Sequence, residues 1–122
     1  MANLAPRCKL WLEAGGRLVM SDYRLRLLTL VGETGSLAAA AAAMGLSYRR
    51  AWGKVRELEA NLGFQLVRSE VGGAGGGHST LTEDGRRLVE AYGRFRRRVD
   101  AAVEQAFREE LEPFAPPARH TA

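Results

Sequence analysis

Between residues 47 and 62 the apolar positions return every three or four residues. At about 100° per residue, Ala51, Val55, Leu58 and Leu62 fall on one side of a helix, with Tyr48 beside them and Trp52 on the flank. Arg49, Gly53 and Arg56 fall on the opposite side, with Arg50 and Lys54 on its shoulder. Ser47 is a natural N-cap and Gly63 a natural stop. Just upstream, Ser36 caps a shorter run, Leu37 followed by six alanines, closed by Met44 and Gly45. Alanine is the best helix former and has the smallest side chain that still builds a helix well, so this short element suits a place where another helix packs closely.

The rest of the chain reads by the same rules. Residues 9–20, KLWLEAGGRLVM, hold two short apolar runs about Gly15-Gly16 and predict a hairpin. Ser21 or Asp22 caps a helix in which Leu25, Leu28 and Val31 recur at helical spacing, with Gly32 and Gly35 at its end. Leu66, Val67 and Val71 favour a short strand, GGAGGG at 72–77 a loop, and His78 to Leu81 the returning strand. Thr82 caps a last helix with Glu83 and Asp84 in its first turn, where they complement the helix dipole. Its seam, Leu88, Tyr92, Phe95, Val99, Ala102 and Ala106, alternates spacings of four and three, and Val103, Phe107 and Leu111 widen it. The helix is expected to reach Leu111 or Glu112, with Pro113, Pro116 and Pro117 ending regular structure.

A helix, a short alanine helix, a tight turn, a basic helix and a hairpin, in that order, make a helix-turn-helix followed by a wing. The expected class is mainly α with small β-hairpins, a winged helix-turn-helix with a long C-terminal helix. Residues 1–81 form the winged region, 82–112 the long helix of the same domain, and 113–122 a frayed tail.

Charge sharpens this. The net charge is +4 with a pI near 9.8, which by itself is weak evidence for a nucleic-acid partner. Its distribution says more: residues 1–81 carry ten Lys or Arg against six Asp or Glu, and residues 82–122 carry eight of each. The excess therefore sits in the winged region. Arg49, Arg50, Lys54 and Arg56 can enter a major groove, which admits a helix. Arginine can pair bidentately with guanine, and Arg and Lys can equally contact phosphates. Ser47 and Tyr48 add hydroxyls at a helix N-terminus that can itself receive a phosphate. A wing flanked by Arg68, His78, Ser79 and Thr80 suits the phosphate backbone. Gly53 has two readings that stay open: missing bulk for close approach to DNA, or a tolerated surface glycine. Trp52 reads as core packing between helices in preference to base stacking.

Other chemistries fit poorly. GGAGGG lacks a following lysine and the GxxxxGK[ST] arrangement of a nucleotide-binding loop. Cys8 is the single cysteine, so no intrachain disulfide can form and no four-cysteine zinc site exists. His78 has no metal-ligand company, and the other histidine, His120, is in the tail. Glu57 and Glu59 are expected on different sides of their helix, and no catalytic constellation emerges; no enzyme activity, metal or cofactor is expected. No apolar run approaches the roughly 20 residues of a membrane span, and no secretion signal opens the chain, so a cytoplasmic protein without a membrane partner is expected.

The stretch GSLAAAAAAMGLSYRRAWGKVRELEANLGFQLVRSEVGGAGGGHSTLTEDGRRLVEAY resembles the N-terminal DNA-binding domain of the molybdate-responsive ModE family, related in this domain to LysR-type regulators. The pieces that carry the resemblance are Ser47-Tyr48 with Ala51-Trp52, the glycine run 72–77, and Leu81-Thr82 with Gly85, within an overall match of about residues 9 to 108. The resemblance implies a homodimeric transcription regulator of double-stranded DNA, its recognition helix starting at Ser47 and its wing at residues 67–81. It also implies that the early strands and last helix contribute to dimer formation. Dimer contacts are expected at Tyr92, Phe95, Val99, Ala102, Val103, Ala106, Phe107 and Leu111; an intrachain fold-back, or a surface kept for a missing partner domain, is the alternative for that face. Full family members carry molybdate-binding C-terminal domains, which the 122-residue chain does not reach, so molybdate binding is not expected here and a separate effector-binding protein is a candidate partner. A non-specific architectural DNA-binding protein and a protein-interaction module using the long helix are the competing functions.

Overall fold

The computed structural model of the chain describes residues 4–70 and 78–117. The elements run β1 (Trp11–Ala14), β2 (Arg17–Ser21), α1 (Asp22–Thr34), α2 (Leu37–Ala43), α3 (Tyr48–Leu62), β3 (Val67–Glu70), β4 (His78–Leu81) and α4 (Glu83–Glu110), followed by a 3₁₀ turn at Glu112–Phe114. Val71, the glycine run 72–77 and the end of the tail with His120 lie outside the described residues. The mainly α class with two small antiparallel hairpins is as expected. α4 ends one residue short of the expected limit, and the proline-containing segment adds the 3₁₀ turn where no regular structure was expected.

Two compact units divide the chain, residues 10–93 and residues 1–9 with 94–122. In the first, serine side chains start three helices: Ser21 accepts from the Arg24 N–H, Ser36 from Ala39 and Ser47 from Arg50, each at 3.0–3.1 Å. Each satisfies an amide the first helical turn leaves orphaned, worth about 1 kcal/mol. Thr82 does the same for Gly85 at 2.9 Å. Gly35 and Gly63 end α1 and α3 in the left-handed conformation, φ 69° and 88°, which glycine adopts without a Cβ penalty.

The core of this unit joins Met20 of β2, Leu27, Leu28 and Val31 of α1, Leu37, Ala40 and Ala41 of α2, Ala51, Val55 and Leu58 of α3, and Leu66 and Val67, all at most 1% exposed. α1 therefore turns Leu27 inward with Leu28 and Val31, while Leu25 is only half-buried. Every alanine of α2 that faces inward is a contact where a larger side chain would hold α1 and α3 apart. Asn61 closes α3 onto the first hairpin, donating to the Leu18 carbonyl at 2.7 Å.

Tyr92 belongs to this core. It is 2% exposed, and its hydroxyl lies 3.1 Å from the Leu10 carbonyl and 3.0 Å from Asp22 Oδ1, while Asp22 Oδ2 accepts from the Leu10 N–H. The expectation that Tyr92 serves a dimer contact is corrected: its ring and hydroxyl are already used within the chain. At the start of α4 a Cβ on Gly85 would lie 2.2 Å from the Leu66 carbonyl oxygen, and Thr82 bridges the same strand entry, donating from its N–H to Leu66 O at 2.9 Å and from its hydroxyl to Gln65 O at 2.6 Å. Only a residue without a side chain lets the helix approach this closely.

In the second unit the distal part of α4 runs beside the N-terminal segment. Arg96 donates to the Cys8 carbonyl at 2.6 Å and pairs with Asp100 at 3.0 Å. Leu4, Ala5 and Pro6 line an apolar groove of about 650 Å³ with Val103, Ala106, Phe107, Glu110 and Leu111. The N-terminal segment thus supplies some of the intrachain cover named as an alternative. Val99, Val103 and Phe107 are half-buried, while Phe95, Ala102, Ala106 and Leu111 are exposed.

Candidate nucleic-acid interface

α3 is built as a two-faced helix. Ala51, Val55 and Leu58 are inside, and Tyr48, Arg49, Arg50, Gly53 and Arg56 are outside with the cap Ser47. Four residues, 44–47, separate α3 from α2, so the helix is held from behind by a short turn as well as by its apolar stripe. At Gly53 nothing lies within 4 Å of the position a Cβ would take. No intrachain packing requires this glycine, so both readings of it remain compatible with the fold.

Ring contacts order the basic side chains. The Lys54 ammonium sits 5.2 Å from the centre of the Tyr23 ring, and the Arg56 guanidinium 4.6 Å from that of Trp52. Tyr48 meets Trp52 edge-on at 6.4 Å. Trp52 is half-buried and packs against the core, in accord with its reading as a packing residue. Its outer surface carries Arg56. Arg24 of α1 pairs with Glu57 of α3 at 2.7 Å, tying the supporting helix to the exposed one.

Glu59 lies on a different side of α3 from the exposed Glu57, as expected, and has a role that spacing alone does not assign. It is 9% exposed, and its Oε2 accepts from the Leu66 and Val67 N–H groups at 2.8 and 3.2 Å, while Oε1 lies 3.5 Å from Arg56 Nη1. A carboxylate of α3 thereby satisfies two backbone donors at the entry to the wing, whose burial without a partner would be costly. Spacing signals its burial but not this role: Glu59 lies only about 40° from Val55 around the helix, on the apolar stripe.

The wing pairs Val67 with Leu81, Arg68 with Thr80, Ser69 with Ser79 and Glu70 with His78. Strand alternation puts Arg68, Glu70, His78 and Thr80 on the outer face, all exposed. Ser79 is on the other side at 3% exposure, its N–H donating to the Gly35 carbonyl at 3.0 Å. Ser79 is therefore corrected from a contact residue to part of the wing's inner attachment.

Of the basic residues on the face of α3, only Arg56 has an acidic partner, Glu59, among the described ion pairs. Arg49 and Arg50 make no ion pair among those described. Arg86 of α4 is held further above the ordinary arginine range by its hydrogen bond and charge attraction to Glu83 and by Glu90. Among the described residues no three His, Cys, Asp or Glu side chains form a metal set, and no helix is long and apolar enough to cross a membrane.

A short helix, a four-residue turn, a helix with a free basic face and a two-stranded hairpin define a winged helix-turn-helix domain. The profile of the bacterial regulatory helix-turn-helix protein, lysR family, matches residues 23–86, more than half of the sequence, and the chain belongs to that family. It is 42% identical over 74 residues to the molybdenum-pterin-binding protein MopB of Rhodobacter capsulatus, covering 61% of this chain and 27% of that protein. It is 35% identical over 83 residues to the transcriptional regulator ModE of Yersinia pestis, and 34% identical over 83 residues to the DNA-binding transcriptional dual regulator ModE of Escherichia coli K12, each match covering 68% of this chain and 32% of the other. The matches thus span about a third or less of these relatives. The BenM DNA-binding domain, crystallised with benA site 1 DNA, shares the fold at a TM-score of 0.55 and 22% identity, over 74% of this chain and 96% of that one.

Proposed function

We propose that the protein is a sequence-specific DNA-binding transcriptional regulator of the ModE-like type. α3 enters the major groove and the outer face of β3–β4 follows the backbone. The observation that carries this is the face of Arg49, Arg50, Gly53, Lys54 and Arg56: it is basic and largely solvent-facing, on a helix whose opposite face is packed into the core through Ala51, Val55 and Leu58. Ser47 and Tyr48 contribute at its N-terminus, and Arg68, His78 and Thr80 from the wing. The protein acts on double-stranded DNA in the cytoplasm and has no catalytic role. Selecting fragments of the source genome on the purified chain and footprinting the enriched ones tests this. Protection centred on one recurrent sequence is expected; uniform recovery would favour an architectural role, and no recovery at low salt a protein-interaction module.

The regulator is further proposed to be a homodimer through the distal seam of α4, with Phe95, Val99, Ala102, Val103, Ala106, Phe107 and Leu111 in the interface. The apolar surface left at Phe95 and Leu111, 41% and 53% exposed, supports this. Two-fold symmetry would offer two recognition helices to paired half-sites.

A further inference from the structure

We propose that Trp52 and Glu59 hold the Arg56 guanidinium as a fixed clamp for a backbone phosphate, placed where α3 meets the root of the wing, so that Arg56 contributes affinity and not base selection. This rests on the DNA reading above. The guanidinium lies against the indole four residues before it, at 4.6 Å, and reaches toward the carboxylate three residues after it, at 3.5 Å. Both partners are on its own helix, so the side chain lies along the helix surface. A side chain reading a base edge extends away from it.

Stacking occupies the planar face of a guanidinium and leaves its N–H edges to make bonds. The Arg56 side chain is 63% exposed, so an edge not turned to Glu59 faces solvent. Phosphate accepts from such an edge in a charge-assisted, fork-like geometry. The clamp is tied down on both sides. Trp52 is half-buried against the core, and Glu59 is 9% exposed and fixed by the Leu66 and Val67 amides. Glu59 lowers the net charge beside Arg56 but also fixes the distance between the helix and the wing entry. Trp52 and Glu59 are thus positioning residues, and their effect on DNA passes through Arg56.

The test titrates a duplex enriched by selection on the parent chain, its single-base variants and a random duplex, across a salt series. Each lost phosphate contact reduces the slope of log affinity against log salt by about 0.9. Arg56→Ala is expected to lower the slope by about that amount on every duplex, leaving the ranking of the base variants unchanged. Trp52→Leu is expected to weaken binding about two- to fivefold, the scale of one cation–π contact. Adding Arg56→Ala to it should then cost less than Arg56→Ala costs alone, the signature of coupled residues. Trp52→Tyr, which keeps a ring under the guanidinium, should recover most of the loss; thermal melting of each variant separates this from unfolding. An unchanged slope with altered preference at one base pair would make Arg56 a base reader and overturn the proposal. Strictly additive losses, or no rescue by Trp52→Tyr in a folded protein, would remove the positioning roles. A parent chain that binds no duplex at all would strike down the DNA reading itself, and the clamp with it.

Discussion

α3 and the distal part of α4 are both amphipathic helices with arginines beside an apolar stripe, yet the fold treats them in opposite ways. Ala51, Val55 and Leu58 vanish into the core of their unit, so what α3 leaves free is basic. Along α4 beyond residue 93 no side chain is fully buried, and Phe95, Ala102, Ala106 and Leu111 keep apolar surface in water. The periodicity alone did not distinguish them. The difference lies in what the chain itself supplies as cover: two helices and the first hairpin for α3, a short N-terminal segment for the distal part of α4. A helix whose apolar face is already satisfied presents a polar surface to a polar partner, and one whose apolar face is only partly covered presents it to an apolar partner.

The largest effect expected concerns the anchoring of α4 to the well-packed unit. Gly85→Ala would drive a Cβ against the Leu66 carbonyl oxygen, and backbone on the receiving side cannot move as a side chain can. A loss of about 3 kcal/mol is expected, measured by denaturant unfolding. A variant as stable as the parent would show that the close approach is not needed.

The proposed dimer contact of α4 can be tested separately. Phe107→Glu with Leu111→Glu should shift the protein in sedimentation equilibrium from about twice the 13.3 kDa chain mass toward the monomer. Operator affinity should fall about a hundredfold through lost bivalency, with the melting of the 10–93 unit preserved. A parent that is monomeric, free and on DNA, would leave α4 with only its intrachain cover.

On the basic side, Arg49→Ala is expected to cost about 1–3 kcal/mol of discrimination if it reads a base, at one position of the site, with the fold unchanged. Parallel titrations against base-substituted duplexes give that number, and equal losses at every position would reassign Arg49 to the backbone.

The smallest effect is at Gly53. With open space around it, Gly53→Ala should raise stability by up to about 1 kcal/mol on helix propensity alone, while Gly53→Leu should weaken operator binding without loosening the fold. Leu at operator affinity equal to the parent's would leave the surface-glycine reading.

What was legible in the sequence was local. Ser21, Ser36, Ser47 and Thr82 announce helix starts because a short hydroxyl side chain satisfies an orphaned amide within three residues. Gly15-Gly16 and Gly63 mark reversals because their backbone takes positive φ, 59° and 79° at the turn. What was hidden depends on partners far along the chain. Tyr92 fits a seam by spacing, but Leu10 and Asp22, 82 and 70 residues away, draw it into the core. Ser79 could have been placed by strand parity only once the register to Val67 was known. Glu59 has no visible role in the sequence, because the amides of Leu66 and Val67 that it accepts from are brought beside it only by the fold. The outer face of α3 was legible because it follows from a single helical period with no long-range partner to override it.

Whether the basic face of α3 recognises a DNA sequence is decided by one ratio. The selected duplex is titrated against a random duplex of equal length at one fixed salt concentration. The parent should prefer the selected duplex by about 10³ or more, and the preference should collapse when Arg49 and Arg50 are both replaced by alanine in a chain that still folds. A ratio near one for the parent, or a full preference surviving the double substitution, would contradict recognition by that face.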